Sequence, residues 1–79
     1  MITVRPMIKT AGICGGSARI SGTRIPVWVL EQSRRLAISE SDILQDYPSI
    51  THDELHAAWE YARDNAAEIE AEIRDNQEA

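Results

Sequence analysis

The sequence predicts a mainly α protein: a three-helix, helix-turn-helix-like bundle with a short N-terminal β arm and an extended C-terminal helix. Three observations carry that prediction. Glycines puncture the first 25 residues, and no helical period runs through them. Pro26, Ser39 with Asp42, and Thr51 with Glu54 mark three successive helix starts. An apolar stripe then runs through Leu55, Trp59, Ala62, Ala66, Ile69 and Ile73 at alternating spacings of four and three. With 79 residues the chain is expected to form one domain, divided into an arm (1–25), a trihelical body (26–65) and an acidic helical extension (66–79).

In the arm, Ile13-Cys14 and Arg19-Ile20 are short apolar-containing pieces on either side of Gly15-Gly16-Ser17, and Ser21-Gly22 marks a second turn. They read as one or two short strands. An isolated ribbon is barely stable in water, so the arm needs the helical body or a second chain to hold it. The first helix begins near Pro26, with Thr23 as a capping candidate, and Arg34-Arg35 fall in its last turn, where cations complement the helix dipole. Ser39 and Asp42 resemble a capping box for a short second helix that ends at Tyr47-Pro48, because the residue before proline is pushed out of helical geometry. Thr51 and Glu54 form a full capping box for the third. Its pattern predicts a helix from about residue 52 to about residue 75, about 35 Å long. The expected core is Ile25, Val27, Val29, Leu30, Leu36, Ile38, Ile43, Leu44, Tyr47, Ile50, Leu55, Ala58, Trp59 and Ala62. Ile69 and Ile73 are expected to project beyond it on an acidic helix, as a docking stripe.

The net charge of −5 hides an asymmetry. Residues 1–35 hold six cations (Arg5, Lys9, Arg19, Arg24, Arg34, Arg35) against the one acid Glu31, whereas residues 36–79 hold Arg63 and Arg74 against twelve acids. The split suggests one end for polyanions and one for cationic surfaces. Cys14 is the lone cysteine, no apolar run is long enough to span a membrane, and MITVRPMIKT is too polar and short for a signal peptide; a cytoplasmic protein is expected.

The stretch from Ile13 to Val27, ICGGSARISGTRIPV, resembles the I-C-G-G-x-P-R-I-x-G-T-R-I-P-V opening of a widespread prokaryotic family, domain of unknown function 433. SESDILQDYPSIT, from Ser39, resembles the same family's S-x-x-x-I-L-x-x-Y-P-x-L-T element, and the match covers about residues 6–65. Ala18 replaces a frequent proline, and Ala37-Ile38 stands where the family tends to place Gly-Met. The resemblance implies a homeodomain-like trihelical fold and an antitoxin-like, VapB-type protein of a type II toxin–antitoxin pair. Such a protein neutralises a PIN-like ribonuclease toxin by direct binding and regulates its own operon.

The residues themselves offer little catalytic chemistry. Cys14 beside two glycines, with His52 or His56 as base, is a conceivable nucleophile, but a lone cysteine is far more often a small buried apolar residue. His52 and His56 lie four apart and share a helix face, yet only Cys14 offers itself as a third ligand, so no metal site is expected. No catalytic residues and no cofactor are expected either. Gly15-Gly16-Ser17 with Arg19 reads either as a nest for phosphate oxygens or as a tight turn. The third helix carries Asp53, Glu54, Glu60, Asp64 and Glu68, which phosphates repel, so any nucleic-acid contact falls to Arg5, Lys9, Arg19, Arg24, Arg34 and Arg35, unless acids of the same or a neighbouring chain pair with Arg19 and Arg24. Trp59, Arg63, Ala66, Ile69 and Ile73 are the expected partner-binding residues. Three functions follow: an antitoxin bound to a PIN-like toxin, a DNA-binding autorepressor acting on operator DNA, which is compatible with the first, or a dimerisation module; a homodimer or higher oligomer is expected.

Overall fold

In the computed structural model, which describes residues 3–78, the chain runs through β1 (Met7–Ile8), a 3-10 turn (Cys14–Gly16), β2 (Arg19–Ile20), α1 (Val27–Arg35), α2 (Glu40–Asp46), α3 (His52–Asp64) and α4 (Ala66–Glu78). The mainly α architecture with a small N-terminal β arm is what the residues predicted.

The arm is built around β2. Its antiparallel partner is β1, in the register Met7↔Ile20 and Ile8↔Arg19. Its other side meets the chain returning into α1: Ile20 N–H donates to Ile25 O at 3.2 Å, and Val27 N–H donates to Ala18 O at 2.9 Å. The strand expected at Ile13-Cys14 is absent. Cys14, Gly15 and Gly16 all have positive φ (52°, 63° and 84°), which no strand accommodates, and the segment closes as a 3-10 turn. Thr23 does not cap α1. Its hydroxyl donates to Ile20 O at 2.7 Å and accepts from Ile25 N–H at 3.1 Å, closing the turn between β2 and α1. The motif residues Arg19, Ile20, Gly22, Thr23, Ile25, Pro26 and Val27 thus form one folded corner, with Ile20 and Val27 fully buried in the core.

The helix starts form as predicted, with one variation. Pro26 precedes α1. Ser39 Oγ accepts from Asp42 N–H at 3.2 Å. At α3 both halves of the capping box are made: Glu54 N–H donates to Thr51 Oγ1 at 3.1 Å, and Thr51 N–H donates to Glu54 Oε1 at 2.9 Å. At the end of α1, Ile38 N–H reaches Ser33 O and Ala37 N–H reaches Arg34 O, the paired bonds of a Schellman turn, with Ala37 left-handed at φ 61°. That corner swings Leu36 and Ile38 outward. Both were expected in the core, and they are 68% and 37% exposed.

The expected long third helix is two helices. Asn65 breaks it at φ −126°, ψ 44°. Its backbone N–H still makes the regular i→i−4 bond to Tyr61 O at 2.9 Å, and its side-chain Nδ2 donates to the same carbonyl at 3.0 Å, capping α3 where the backbone leaves helical geometry. The bend lays α4 against α1. Ile69 and Ile73, expected to project from the body, are therefore 1% and 4% exposed and belong to the same apolar cluster as Ala18, Ile20, Val27, Leu30, Ile43, Leu55 and Ala58. Each such burial contributes about 1.5–3 kcal/mol. The 66–78 segment completes the core rather than extending from it.

Candidate functional site

The N-terminal cations are largely spent on the chain's own acids. Four donors converge on the buried Glu54 carboxylate: Arg5 N–H (3.0 Å), Arg5 Nε (2.7 Å), Arg5 Nη2 (3.1 Å) and Thr51 N–H (2.9 Å). The Arg5 guanidinium, with the Thr51 and Arg5 amides, outweighs burial and holds this carboxyl at about 2. Lys9 Nζ lies 2.7 Å from Glu68 Oε1, and Tyr61 OH donates to Oε2 of the same carboxylate at 2.8 Å. Burial pushes Glu68 up, but these two partners reverse it and leave the group below the ordinary range. Arg34 forks onto the buried Glu31 at 2.9 and 2.6 Å. Arg35 joins Glu31 at 3.0 Å and reaches across to Glu70 at 2.7 Å, tying α1 to α4. Arg19 is buried, with Nη2 donating to Thr10 Oγ1 at 3.1 Å. Arg24 alone of the six is exposed with no ion pair among the described residues. The charge split in the sequence is thus matched inside the molecule: the basic N-terminal half straps onto the acidic C-terminal half through Arg5–Glu54, Lys9–Glu68 and Arg35–Glu70.

The Gly15-Gly16-Ser17 turn is likewise self-satisfied. Gly16 N–H donates to Ile13 O at 2.9 Å and Ser17 N–H to Cys14 O at 3.1 Å, so neither is free to cradle an anion. Cys14 Sγ lies 3.5 Å from Arg24 O.

Three of the five expected partner-binding residues do come together. Trp59, Arg63 and Ala66, with Ala62, Glu31, Arg34 and Arg35, line an open cleft of about 440 Å³ between α1 and the α3–α4 bend. The floor is apolar: Trp59, Ala62 and Ala66. The rim is cationic. The Arg34 side chain is 54% exposed despite its bond to Glu31. Arg63 is 73% exposed, and its one ion pair among the described residues is a long 3.5 Å contact with the adjacent Asp64. The Trp59 indole N–H is buried with no acceptor among the described residues. A second hollow, of about 260 Å³, continues along α1 and α4 past Arg35–Glu70, lined by Leu36, Ile73, Arg74 and Gln77 among others. The bend at Asn65 assembles this face. It buries the two isoleucines and, in doing so, opposes α4 to the arginine-bearing end of α1. Arg34 and Arg35, expected at nucleic-acid contacts, border the same cleft as Trp59 and Arg63, to which they are joined only by the packing of α1 on the α3–α4 bend.

A second cluster sits beyond Trp59. Glu40, the first residue of α2, accepts from both histidines of α3: His56 Nε2 at 2.7 Å and His52 Nε2 at 3.2 Å. The His56 ring lies 5.4 Å, centroid to centroid, from the Trp59 ring. The two imidazoles, His56 first, lower the Glu40 pKa. The paired histidines were legible in the sequence at i and i+4; Glu40, twelve residues before His52, was not.

None of the helices is long and apolar enough to cross a membrane. No curated protein matches the chain. It is similar to the crystal structure of a DUF433 member protein from Anabaena variabilis, with 43% sequence identity, a TM-score of 0.85, and coverage of 89% of this chain and 69% of that one. The model of the protein family of unknown function DUF433 matches residues 8–62, from β1 to the last turn of α3, and the chain belongs to that family.

Proposed function

We propose that the chain is a non-enzymatic, cytoplasmic partner-binding protein, the antitoxin-like member of a type II toxin–antitoxin pair, and that it engages a PIN-like ribonuclease through the cleft between α1 and the α3–α4 bend. The observation that carries the docking surface is the composition of that cleft: an apolar floor of Trp59, Ala62 and Ala66 inside a rim of Arg34, Arg35 and Arg63. Such a site takes a partner segment that presents an apolar side chain flanked by carboxylates. The acidic helix expected to present Ile69 and Ile73 has both of them inside the core, so the docking role passes to this arginine-rimmed face. Operator binding draws less support from the geometry, because Arg24 is the one member of the six-cation set that is both exposed and unpaired among the described residues.

Co-expression with the product of the neighbouring gene, expected on this proposal to be a PIN-like nuclease, tests both parts of the proposal. The full chain is expected to co-purify with the nuclease. Arg63→Glu, at a side chain 73% exposed whose one ion pair among the described residues is the long Asp64 contact, is expected to weaken the complex by about 2 kcal/mol or more, the range for a residue central to an interface. No complex with the wild-type chain refutes the antitoxin reading. A complex indifferent to Arg63→Glu and Trp59→Ala places the docking surface elsewhere.

A further inference from the structure

We propose that Glu40, His52 and His56 form a binding site for a divalent transition-metal ion of the zinc class, bridging α2 and α3. Each residue offers one ligand atom, and these atoms all lie within 4.8 Å of one another. A tetrahedral ion with bonds of about 2.0–2.1 Å needs its ligand atoms about 3.3 Å apart. The Nε2–Oε separations are 2.7 and 3.2 Å and no pair of ligand atoms is more than 4.8 Å apart, so shifts of no more than about 1.5 Å bring the three to that spacing. The two imidazoles are held in common by the helix. One turn of α3 separates them, their ring centroids are 4.3 Å apart, and both turn Nε2 toward the same carboxylate.

The carboxylate is also free of competitors. Glu31, Glu54, Glu68 and Glu70 are each paired with arginine or lysine, whereas the ion pairs of Glu40 among the described residues are with the two histidines alone. An arriving cation therefore displaces no guanidinium. Two imidazole nitrogens and one carboxylate oxygen select Zn²⁺, Co²⁺, Ni²⁺ or Cu²⁺ over Mg²⁺ and Ca²⁺, which prefer all-oxygen shells. The three side chains are 38–56% exposed, so the fourth position faces solvent and is open to water or to a side chain of a docked protein. Because Glu40 opens α2 and His52 opens α3, an ion here clamps the two helices across the Tyr47-Pro48 turn. The His56–Trp59 ring contact places the ion beside an indole that lines the cleft.

The test uses the untagged full chain, stripped with a chelator and titrated with Zn²⁺ by calorimetry and with Cu²⁺ by tryptophan fluorescence. One Zn²⁺ per chain is expected, with a rise in Tm and with quenching by Cu²⁺. His52→Ala and Glu40→Gln are each expected to weaken Zn²⁺ binding at least about tenfold. Cys14→Ser is expected to leave it unchanged, and Mg²⁺ in excess is expected not to compete. All of these variants change exposed or loop positions, and circular dichroism confirms that each remains folded before titration. Zn²⁺ binding equal in the wild type and the His52→Ala, His56→Ala double variant overturns the site. Loss of binding on Cys14→Ser overturns the ligand set, and competition by Mg²⁺ overturns the metal class. None of these readouts depends on a protein partner, so failure here leaves the docking proposal standing, and the reverse also holds.

Discussion

Replacing Glu54 by glutamine is expected to loosen the β arm from the helical body and to remove a specific part of the acid sensitivity of folding. The Glu54 side chain is 1% exposed and takes four donors, three of them from Arg5, which lies 49 residues away in the chain. Its carboxyl sits at about 2 in the folded protein against 4.5 as an ordinary glutamate. At about 1.4 kcal/mol per unit, the ceiling of the linked stability is about 3 kcal/mol. Arg5 is 36% exposed, and water screens its side of the pair, which brings the expected contribution to about 1–2 kcal/mol. The sign follows from the depressed pKa. The folded state holds the proton less tightly than the unfolded chain, so this stability is fully present above pH 4.5 and drains away as pH falls toward 2. Urea unfolding followed by tryptophan fluorescence at pH 7 and at pH 2.5 measures it. The wild type is expected to exceed Glu54→Gln by about 1–2 kcal/mol at pH 7, and the gap is expected to shrink to roughly a quarter of that by pH 2.5. The comparison with the variant isolates Glu54 from Glu31, Glu68 and Glu70, whose carboxyls are also held low and titrate in both proteins. A gap that persists unchanged at pH 2.5, or no gap at pH 7, refutes the account of Arg5–Glu54 as the anchor of the arm.

Ala37→Gly is expected to stabilise the fold. Ala37 is exposed at φ 61° in the Schellman turn, where a β-carbon costs about 1–2 kcal/mol and glycine's extra unfolded-state freedom returns about 0.5–1, for a net gain of about 0.5–1 kcal/mol in urea unfolding. Ile69→Ala is expected to cost about 2–4 kcal/mol in the same assay, because the side chain is 1% exposed at the contact of α4 with α1; a loss under about 0.5 kcal/mol would mean that α4 is a solvated tail.

The reason these perturbations divide as they do lies in what one-dimensional signals can encode. Helix starts are local. Thr51 and Glu54 are three residues apart, and their mutual capping depends on nothing distant, so both bonds form as read. The turn at Ser21-Gly22 is local in the same way. The break at Asn65 is also local chemistry, but the unbroken apolar stripe concealed it: the same spacing that suits one straight helix suits two helices packed on one core. Whether Ile69 and Ile73 face water or α1 depends on a bend whose direction is set by tertiary packing.

The charge pattern makes the same point about function. The imbalance between the two halves is legible from composition, and taken alone it points outward, to polyanions and cationic partners. Folding turns it inward, because Arg5, Lys9 and Arg35 find Glu54, Glu68 and Glu70 at sequence separations of 49, 59 and 35 residues. Coulombic partners at such separations leave no periodic trace in a sequence. The cleft is legible only in part: Trp59, Arg63 and Ala66 lie on one recognisable helix stripe, while Arg34 and Arg35 arrive from α1.

By itself, the sequence determined the helical class, the starts of the first three helices, the Gly-rich corner from Ile13 to Val27 and the family to which the chain belongs, because each rests on residues a few positions apart. Only the tertiary structure decided that α4 folds back, that the basic arm neutralises the acidic helices, and that Glu40 meets His52 and His56. Those outcomes rest on contacts between separate elements, which exist only once the helices have packed.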